Sequence, residues 1–110
     1  MDEGQHRGNL FANIPCSLPE EMTNVLVEGT ASGKVRIERI VSKGHSTDWY
    51  DQEESEWVIV LAGSAVLEFE DGEMAALATG DYVFLPPHKK HRVAETDAKV
   101  ETVWLAVFFS

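Results

Sequence analysis

The chain has few of the features that mark secreted or membrane proteins. Cys16 is its only cysteine, so no disulfide can form within the chain. Residues 1–15 contain neither the basic segment nor the apolar core of a signal peptide. No apolar run approaches the roughly 20 residues that a membrane-spanning helix needs. We therefore expect a cytoplasmic location and no contact with a membrane.

Basic residues are also scarce. Lysine and arginine together number 9 against 19 aspartates and glutamates, which gives a formal net charge of -10. Nucleic acids are repelled by such a surface, because their binding depends on neutralising phosphates with cationic side chains. The four histidines are too few to reverse this charge in mild acid. The composition argues against nucleic-acid binding and favours a small partner that is neutral or cationic.

Long helical patterns are absent, and strand patterns take their place. Residues 34–42 alternate in polarity, and Asp71-Gly72 predicts a tight hairpin turn between two short runs in 64–77. Further apolar runs lie at 57–62, 82–86 and 100–109. Residues 18–29 read as a turn leading into a strand. With 110 residues, the chain is expected to form one all-β domain with a single core.

Two segments framed by glycine and proline contain most of the residues of chemical interest. The first runs from Gly44 to Gly63 and contains Tyr50, Gln52 and Glu56. The second starts at Gly80, passes Pro86, and reaches His91 and Glu95.

These two segments resemble the two sequence motifs of the cupin family, over residues 44–95. In the family pattern the first motif has two histidines followed by a glutamate, and the second has a glycine, a histidine and an asparagine. Glu56 and His91 match that pattern, whereas Tyr50 and Gln52 stand in place of the two first-motif histidines. His88 replaces the second-motif glycine, and Glu95 replaces the asparagine.

The resemblance implies a cupin double-stranded β-helix, which is a jelly-roll-like barrel. Residues 1–110 are then a single cupin domain with its motif region at 44–95, and strands within residues 1–33 cover the barrel. It also implies a polar pocket in the barrel interior for a small-molecule ligand, with an oxygenase or an isomerase as the kind of enzyme to consider.

Strand geometry predicts which side chains face that interior. Residues of one parity on a strand share a face, so Tyr50, Gln52 and Glu56 should point inward with Val58 and Val60. The resemblance places His91 opposite them. A buried carboxylate such as Glu56 needs a partner or a proton.

Two interpretations of this cluster stay open. In the first, Gln52, Glu56 and His91 bind a divalent ion, which is zinc, manganese, nickel or iron, and Tyr50 acts as an acid or hydrogen-bond donor. In the second, the cluster is free of metal, His91 donates to Glu56, and the protein is a non-catalytic binding or sensor cupin. Asp51, His45 and Glu95 are further candidates for the pocket, Asp51 only if a bulge turns it inward.

The opposite parity of the same strand is apolar as well. Trp57, Ile59 and Leu61 therefore need a cover, which is either the segment around Leu10, or a second copy of the chain. We expect a homodimer.

Overall fold

The computed structural model describes residues 7–29 and 33–110. Eight β-strands form its regular structure: β1 (Met22–Gly29), β2 (Val35–Ser42), β3 (Ser55–Ala62), β4 (Ser64–Phe69), β5 (Met74–Ala78), β6 (Tyr82–Leu85), β7 (His91–Thr96) and β8 (Thr102–Phe109). Within these two ranges there is no helix that would cross a membrane. The prediction of an all-β chain is confirmed.

The strands form two antiparallel sheets that enclose the core. One sheet has five strands in the order β1-β2-β8-β3-β6, and the other has three in the order β5-β4-β7. Buried apolar side chains from both sheets meet between them, among them Val60 and Trp104 from the larger sheet and Leu67 from the smaller. Two facing antiparallel sheets, with the chain crossing between them after β3, β5, β6 and β7, give the predicted jelly-roll-like barrel.

Strand β3 shows the predicted alternation. Glu56, Val58 and Val60 are buried on the inner face, whereas Trp57 and Ile59 on the outer face are only half-buried. On β2 the same rule applies, because Ile40 pairs with Trp104 of the core and so faces inward. The parity argument therefore predicted the inner face correctly.

Strand β7 was not among the predicted apolar runs. Its sequence HRVAET has little apolar character, and it becomes a strand because it pairs along β4. Position in the sheet thus overrides a weak local preference for strand.

The hairpin between β4 and β5 has a longer turn than Asp71-Gly72 predicted. Phe69 N–H donates to the backbone carbonyl of Glu73 at 2.9 Å, and Gly72 N–H donates to the backbone carbonyl of Phe69 at 2.9 Å. Only Gly72 has a positive φ, at 91°, and Asp71 instead accepts a hydrogen bond from Glu73 N–H at 2.9 Å. The connection is a three-residue loop with glycine in the left-handed position rather than a two-residue turn.

The N-terminal region covers part of the outer face of the five-stranded sheet. Strand β1 is the edge of that sheet, and the guanidinium of Arg39 holds the preceding segment through the carbonyls of Leu10 (3.2 Å) and Ala12 (2.7 Å). The same guanidinium donates twice to Asn24. Of the predicted covering region 1–33, residues 1–6 and 30–32 lie outside the described residues.

Candidate functional site

A cavity of about 230 Å³ lies between the two sheets. Its deeper wall is apolar and comes from both sheets: Ile40, Val58, Leu67, Leu85, Val93, Trp104 and Phe108. Its polar groups come from the inner faces of the strands, from the residue before β1 and from the loop before β3: Glu21, Thr23, Arg36, Glu38, Thr47, Tyr50, Gln52, Glu56 and His91. A concave space in which apolar side chains and converging polar groups meet is the usual form of a small-molecule site.

Glu56 is the most deeply placed carboxylate of this cavity, with 8% of the residue exposed. Gln52 lies in the loop before β3, and its amide Nε2–H donates a hydrogen bond to Glu56 Oε1 at 3.0 Å. Burial raises the pKa of Glu56 from 4.5 to about 7, and the hydrogen bond from Gln52 opposes that rise. This carboxyl therefore gains and loses its proton near neutral pH.

His91 faces Glu56 from the other sheet and is 4% exposed. Its Nδ1 lies 2.7 Å from the carbonyl oxygen of Lys89, which only accepts, so Nδ1 bears the proton. Its Nε2 lies 3.8 Å from Glu56 Oε1, too far for a hydrogen bond. The Nε2 lone pair of a neutral His91 is thus left available to a molecule in the cavity.

Tyr50 is brought to His91 by an isolated antiparallel bridge between their backbones. Tyr50 N–H donates to the His91 carbonyl at 2.7 Å, and His91 N–H donates to the Tyr50 carbonyl at 3.1 Å. The two rings are 5.6 Å apart. Burial raises the pKa of Tyr50, and the negative charges of Glu21 and Glu56 add to the rise. Tyr50 is therefore a neutral hydrogen-bonding group at the cavity wall.

Sequence reasoning missed a second polar group, which is centred on Arg36 of β2. The guanidinium donates to both carboxylate oxygens of Glu54, at 2.8 and 3.0 Å, and to Glu38 at 2.7 Å. It also lies 4.3 Å over the ring of Phe108. The pKa of Arg36 is raised, chiefly by the bond to Glu54. The signal was present in the alternation of 34–42, because Arg36 and Glu38 share their parity with Ile40.

Two further lining residues were also missed. Glu21, just before β1, accepts a hydrogen bond from the buried hydroxyl of Ser42 at 2.8 Å. Trp104 is 3% exposed, and its indole Nε1 finds no acceptor among the described residues. A buried N–H without a partner is costly, so this donor is an unusual feature of the wall.

Three predicted pocket candidates do not line this cavity. Asp51 does not line the cavity, and its carboxylate contacts His88 Nδ1 at 2.7 Å with both side chains exposed. No bulge turns Asp51 inward. His45 accepts a hydrogen bond from Lys43 N–H at 2.8 Å and contacts the Pro19 carbonyl at 3.3 Å, so it ties two loops together.

Glu95 is exposed on β7 because of a bulge. Val93 pairs with Leu67, whereas Glu95 pairs with Val66, which leaves Ala94 as an extra residue. The extra residue reverses the parity that Glu95 would otherwise share with His91. Glu95 therefore points away from the cavity.

The predicted metal ligands do lie together, but they do not fit a resident ion. In the part of the chain that the structure describes, no group of three His, Cys, Asp or Glu side chains is placed to hold one. Gln52 turns its amide nitrogen toward Glu56 rather than its oxygen. Two strong ligands remain, and metal sites in proteins ordinarily have at least three.

Comparisons with known proteins agree with this architecture. The family model described as Cupin domain matches residues 37–108. A structure from Ralstonia eutropha JMP134, provisionally assigned as a mannose-6-phosphate isomerase, is 42% identical with a TM-score of 0.85 and covers 93% of this chain and 95% of its own. A search of curated proteins found no match.

More distant structures show the same fold. A cupin superfamily protein from Desulfitobacterium hafniense DCB-2 is 20% identical, with a TM-score of 0.74 over 96% of this chain and 92% of its own. An RmlC-like cupin from Shewanella frigidimarina is also 20% identical, with a TM-score of 0.68 over 81% of this chain and 75% of its own.

Proposed function

Because the chain belongs to the cupin family, we propose that its barrel cavity binds a small organic molecule, with Glu56 and His91 as the polar anchor and without a resident metal ion. The family membership confirms the resemblance and the all-β cupin fold that the two motifs predicted. The single domain over residues 1–110 is retained as part of this proposal.

The observation that supports this function is the buried Glu56 and His91 pair on the wall of a cavity that both apolar and polar side chains line. A carboxyl with a pKa of about 7 either donates or accepts a hydrogen bond near neutral pH. His91, whose Nδ1 proton is held by the Lys89 carbonyl, offers Nε2 as an acceptor. Together they orient a polar group of a ligand, and they can exchange a proton with it at Glu56 Oε1 or His91 Nε2.

The substrate named for the Ralstonia eutropha relative does not transfer readily to this cavity. The phosphate of a phosphorylated sugar is held most strongly by cationic side chains. Arg36 is the one lysine or arginine among the described lining residues, and its donors are occupied by Glu38 and Glu54. We therefore propose a ligand without a phosphate group.

A second candidate function is the binding of a divalent ion by Glu56, His91 and Gln52, which would be zinc, manganese, nickel or iron. One observation favours it, since a metal-binding histidine commonly donates its other ring N–H to a backbone carbonyl, as His91 does to Lys89. It requires Gln52 to turn its amide oxygen toward the ion.

Elemental analysis of protein purified without chelator separates these two candidates. The proposed function predicts less than about one tenth of an ion per chain, whereas a stoichiometric ion would establish the second candidate. NMR titration with a mixed library of small molecules then tests the cavity. Hits should be lost in Val93→Trp, which fills the cavity, and kept in Val100→Trp, which adds the same ring at an exposed loop.

Folding of the variants is checked by the dispersion of their amide resonances, and Val93→Phe replaces Val93→Trp if the larger ring prevents folding. Hits that bind Val93→Trp or Val93→Phe as well as the unmodified protein would contradict the proposal, and so would a library without any hit.

We also propose a homodimer and a cytoplasmic location. Tyr82 and Phe84 on β6 are 65% and 50% exposed, next to Trp57. The N-terminal segment contacts the same outer face away from them, at Arg39 of β2. Aromatic side chains exposed in one patch are typical of a surface that pairs with another subunit. The single cysteine, Cys16, is exposed and free, which suits a reducing compartment.

A further inference from the structure

Two polar atoms of the cavity wall lack a hydrogen-bond partner and are still reachable from the cavity. They are His91 Nε2 and Glu56 Oε2, and no hydrogen bond is found for either atom within 7–29 and 33–110. Their residues are only 4% and 8% exposed. Among the described residues that are not exposed, Trp104 Nε1 is the one side-chain nitrogen or oxygen with neither a partner nor accessible surface. His91 Nε2 and Glu56 Oε2 therefore retain accessible surface, and it faces the cavity that both residues line.

His91 is held so that it presents an acceptor to the cavity. Its Nδ1–H donates to the Lys89 carbonyl at 2.7 Å, which leaves the lone pair of the neutral ring on Nε2. The backbone of Lys89 is fixed in turn, because its N–H donates to the Pro86 carbonyl at 3.1 Å. The backbone of His91 is fixed by its N–H, which donates to the Tyr50 carbonyl at 3.1 Å. A ligand group that pairs with Nε2 must therefore bring a hydrogen of its own.

The spacing between the two residues suits a single ligand atom. His91 Nε2 lies 3.8 Å from Glu56 Oε1, too far for a direct hydrogen bond. An oxygen placed at about 2.8 Å from each residue would bond to both. Glu56 Oε1 already accepts a hydrogen bond from Gln52 at 3.0 Å, so Oε2 is the atom of this carboxyl that a ligand would meet. Oε2 donates when the carboxyl bears a proton there and accepts when it does not.

The cross-strand neighbours of the two residues are apolar. Residues that pair across strands share a face, and Glu56 pairs with Leu85 on β6 and with Phe108 on β8. His91 pairs with the buried Phe69 on β4. These neighbours supply no hydrogen-bonding side chain, so a ligand group between Glu56 and His91 meets few partners besides the two residues themselves.

A hydroxyl group matches these requirements best. It donates one hydrogen, which His91 Nε2 needs, and its oxygen accepts a hydrogen bond from the Glu56 carboxyl when that carboxyl is protonated. A ketone or a carboxylate has no hydrogen to donate. An ammonium group has three N–H donors and a full charge, and both are costly to bury where few acceptors and little water surround them.

We infer that the cavity binds a small neutral alcohol, whose hydroxyl lies between His91 Nε2 and Glu56 Oε2 and whose apolar body packs against the wall. This inference rests on the proposed small-molecule cavity and adds the chemical class of its ligand. The apolar part of the wall includes Val58, Leu67 and Leu85. At about 230 Å³ the cavity is smaller than the roughly 300 Å³ at which sites for drug-sized molecules begin, so a body of one ring suits it.

Four probes with the same six-membered ring test this class: cyclohexanol, cyclohexanone, cyclohexylamine and cyclohexanecarboxylate. Their dissociation constants are measured at pH 7 from the amide signals of the protein in NMR titrations. Cyclohexanol should bind at least about tenfold more tightly than cyclohexanone, which has the same size but leaves His91 Nε2 unpaired. The two charged probes should also bind at least about tenfold more weakly than cyclohexanol, because the surroundings of Glu56 and His91 do not replace their hydration.

The ring nitrogens of His91 give a direct readout. Long-range proton–nitrogen NMR spectra of the free protein should show a hydrogen on Nδ1 and none on Nε2. Cyclohexanol should shift the Nε2 resonance, whereas cyclohexanone at the same occupancy should leave it nearly unchanged. A ring that bears a hydrogen on Nε2 in the free protein would overturn the inference.

Matched variants locate the contact. His91→Phe keeps a planar ring but removes the acceptor, so cyclohexanol should bind about tenfold more weakly while cyclohexanone changes by less than about twofold. His91→Leu takes its place if the amide signals show that His91→Phe does not fold. His88→Asn removes a histidine that does not line the cavity, and asparagine tolerates its φ of 61°, so neither probe should change by more than about twofold. Unchanged cyclohexanol binding in His91→Phe or His91→Leu would overturn the role of His91.

Each failure has a distinct meaning. Cyclohexanone or a charged probe that binds as tightly as cyclohexanol would overturn the alcohol class and leave the cavity function intact. Library hits without a hydroxyl would do the same if all four probes fail, whereas alcohol hits would support the class if their ketone analogues bind at least about tenfold more weakly. A protein that binds neither the probes nor any library member would overturn the proposed function itself.

Discussion

The two faces of the five-stranded sheet use their polar residues in opposite ways. On the inner face, Glu56 lies in the wall of a cavity, and its carboxyl keeps hydrogen-bonding capacity beyond the bond that it accepts from Gln52. On the outer face, Arg39 is buried and every bond it makes goes to the protein itself. A buried charged residue therefore indicates a functional site only where its surroundings leave room for another molecule. Where they do not, it has a structural role.

Arg39→Met should have the largest effect, because it breaks the structural side of this comparison. The substitution removes four hydrogen bonds from a charged donor and leaves Asn24 and the carbonyls of Leu10 and Ala12 without it. We expect a loss of about 3 to 5 kcal/mol in the free energy of unfolding, measured by urea denaturation.

Lys90→Met is the matched control. Lys90 makes an exposed ion pair with Glu70 at 3.6 Å, so its loss should cost less than about 1 kcal/mol. Similar losses of unfolding free energy in the two variants would show that the burial of Arg39 does not determine how much it contributes to stability.

Phe84→Glu tests whether the outer face is an interface. A negative charge at an exposed aromatic position would face its own copy across a two-fold axis, and we expect the dimer dissociation constant to rise by about a hundredfold or more in sedimentation velocity. Met74→Glu on β5 makes the same kind of change at a residue that is 55% exposed on the other sheet, and its dimer should be unaffected. A wild-type chain that sediments as a monomer at all concentrations would contradict the homodimer.

Glu56→Gln tests the inner face through the pH dependence of stability that the carboxyl of Glu56 causes. The folded pKa of Glu56 is raised from 4.5 to about 7, so the folded state holds this proton more tightly than the unfolded state does. Stability should therefore fall as pH rises from about 4.5 to 7, and the penalty is complete above that range. A shift of that size corresponds to about 3 kcal/mol.

Thermal unfolding at pH 5 and pH 8 checks this prediction. Glu56→Gln should be more stable than the unmodified protein by about 2 to 3 kcal/mol at pH 8, and the difference should shrink markedly at pH 5. Other groups around Glu56 also contribute charge, namely Glu38, Arg36 and Glu54. A difference that does not change between the two pH values would show that the burial of the charged form has no cost.

Gln52→His has the smallest expected effect and tests the ligand set of the inner face. It places an imidazole beside Glu56 and His91, and the affinity for zinc or nickel, measured by calorimetry, should rise by about tenfold or more. Asp51→His is the control, because Asp51 is exposed against His88 and does not line the cavity. Equal gains in the two variants would contradict the inward position of Gln52.

Periodicity and turn chemistry were enough to predict much of the fold. The alternation on β3 identified Glu56 as inward and Trp57 as outward, because side chains on a strand alternate whatever the strand packs against. Strand β7 was not predicted in this way, because it has few apolar residues and forms a strand through its pairing with β4. The prediction that Glu95 belongs to the pocket was wrong for a related reason. The extra residue, Ala94, arises from the pairing of β7 with β4 and reverses the direction of the Glu95 side chain.

The sequence by itself determined an acidic all-β chain whose two motif segments bring Glu56 and His91 to one cavity, because composition, strand period and motif spacing are local properties. Only the tertiary structure decided what these residues can do. The proton on His91 Nδ1 depends on the Lys89 carbonyl, and the pKa of Glu56 depends on its burial between the sheets. The missing acceptor of Trp104 likewise depends on the side chains that surround its ring, and such contacts between residues far apart in sequence leave no local pattern to read.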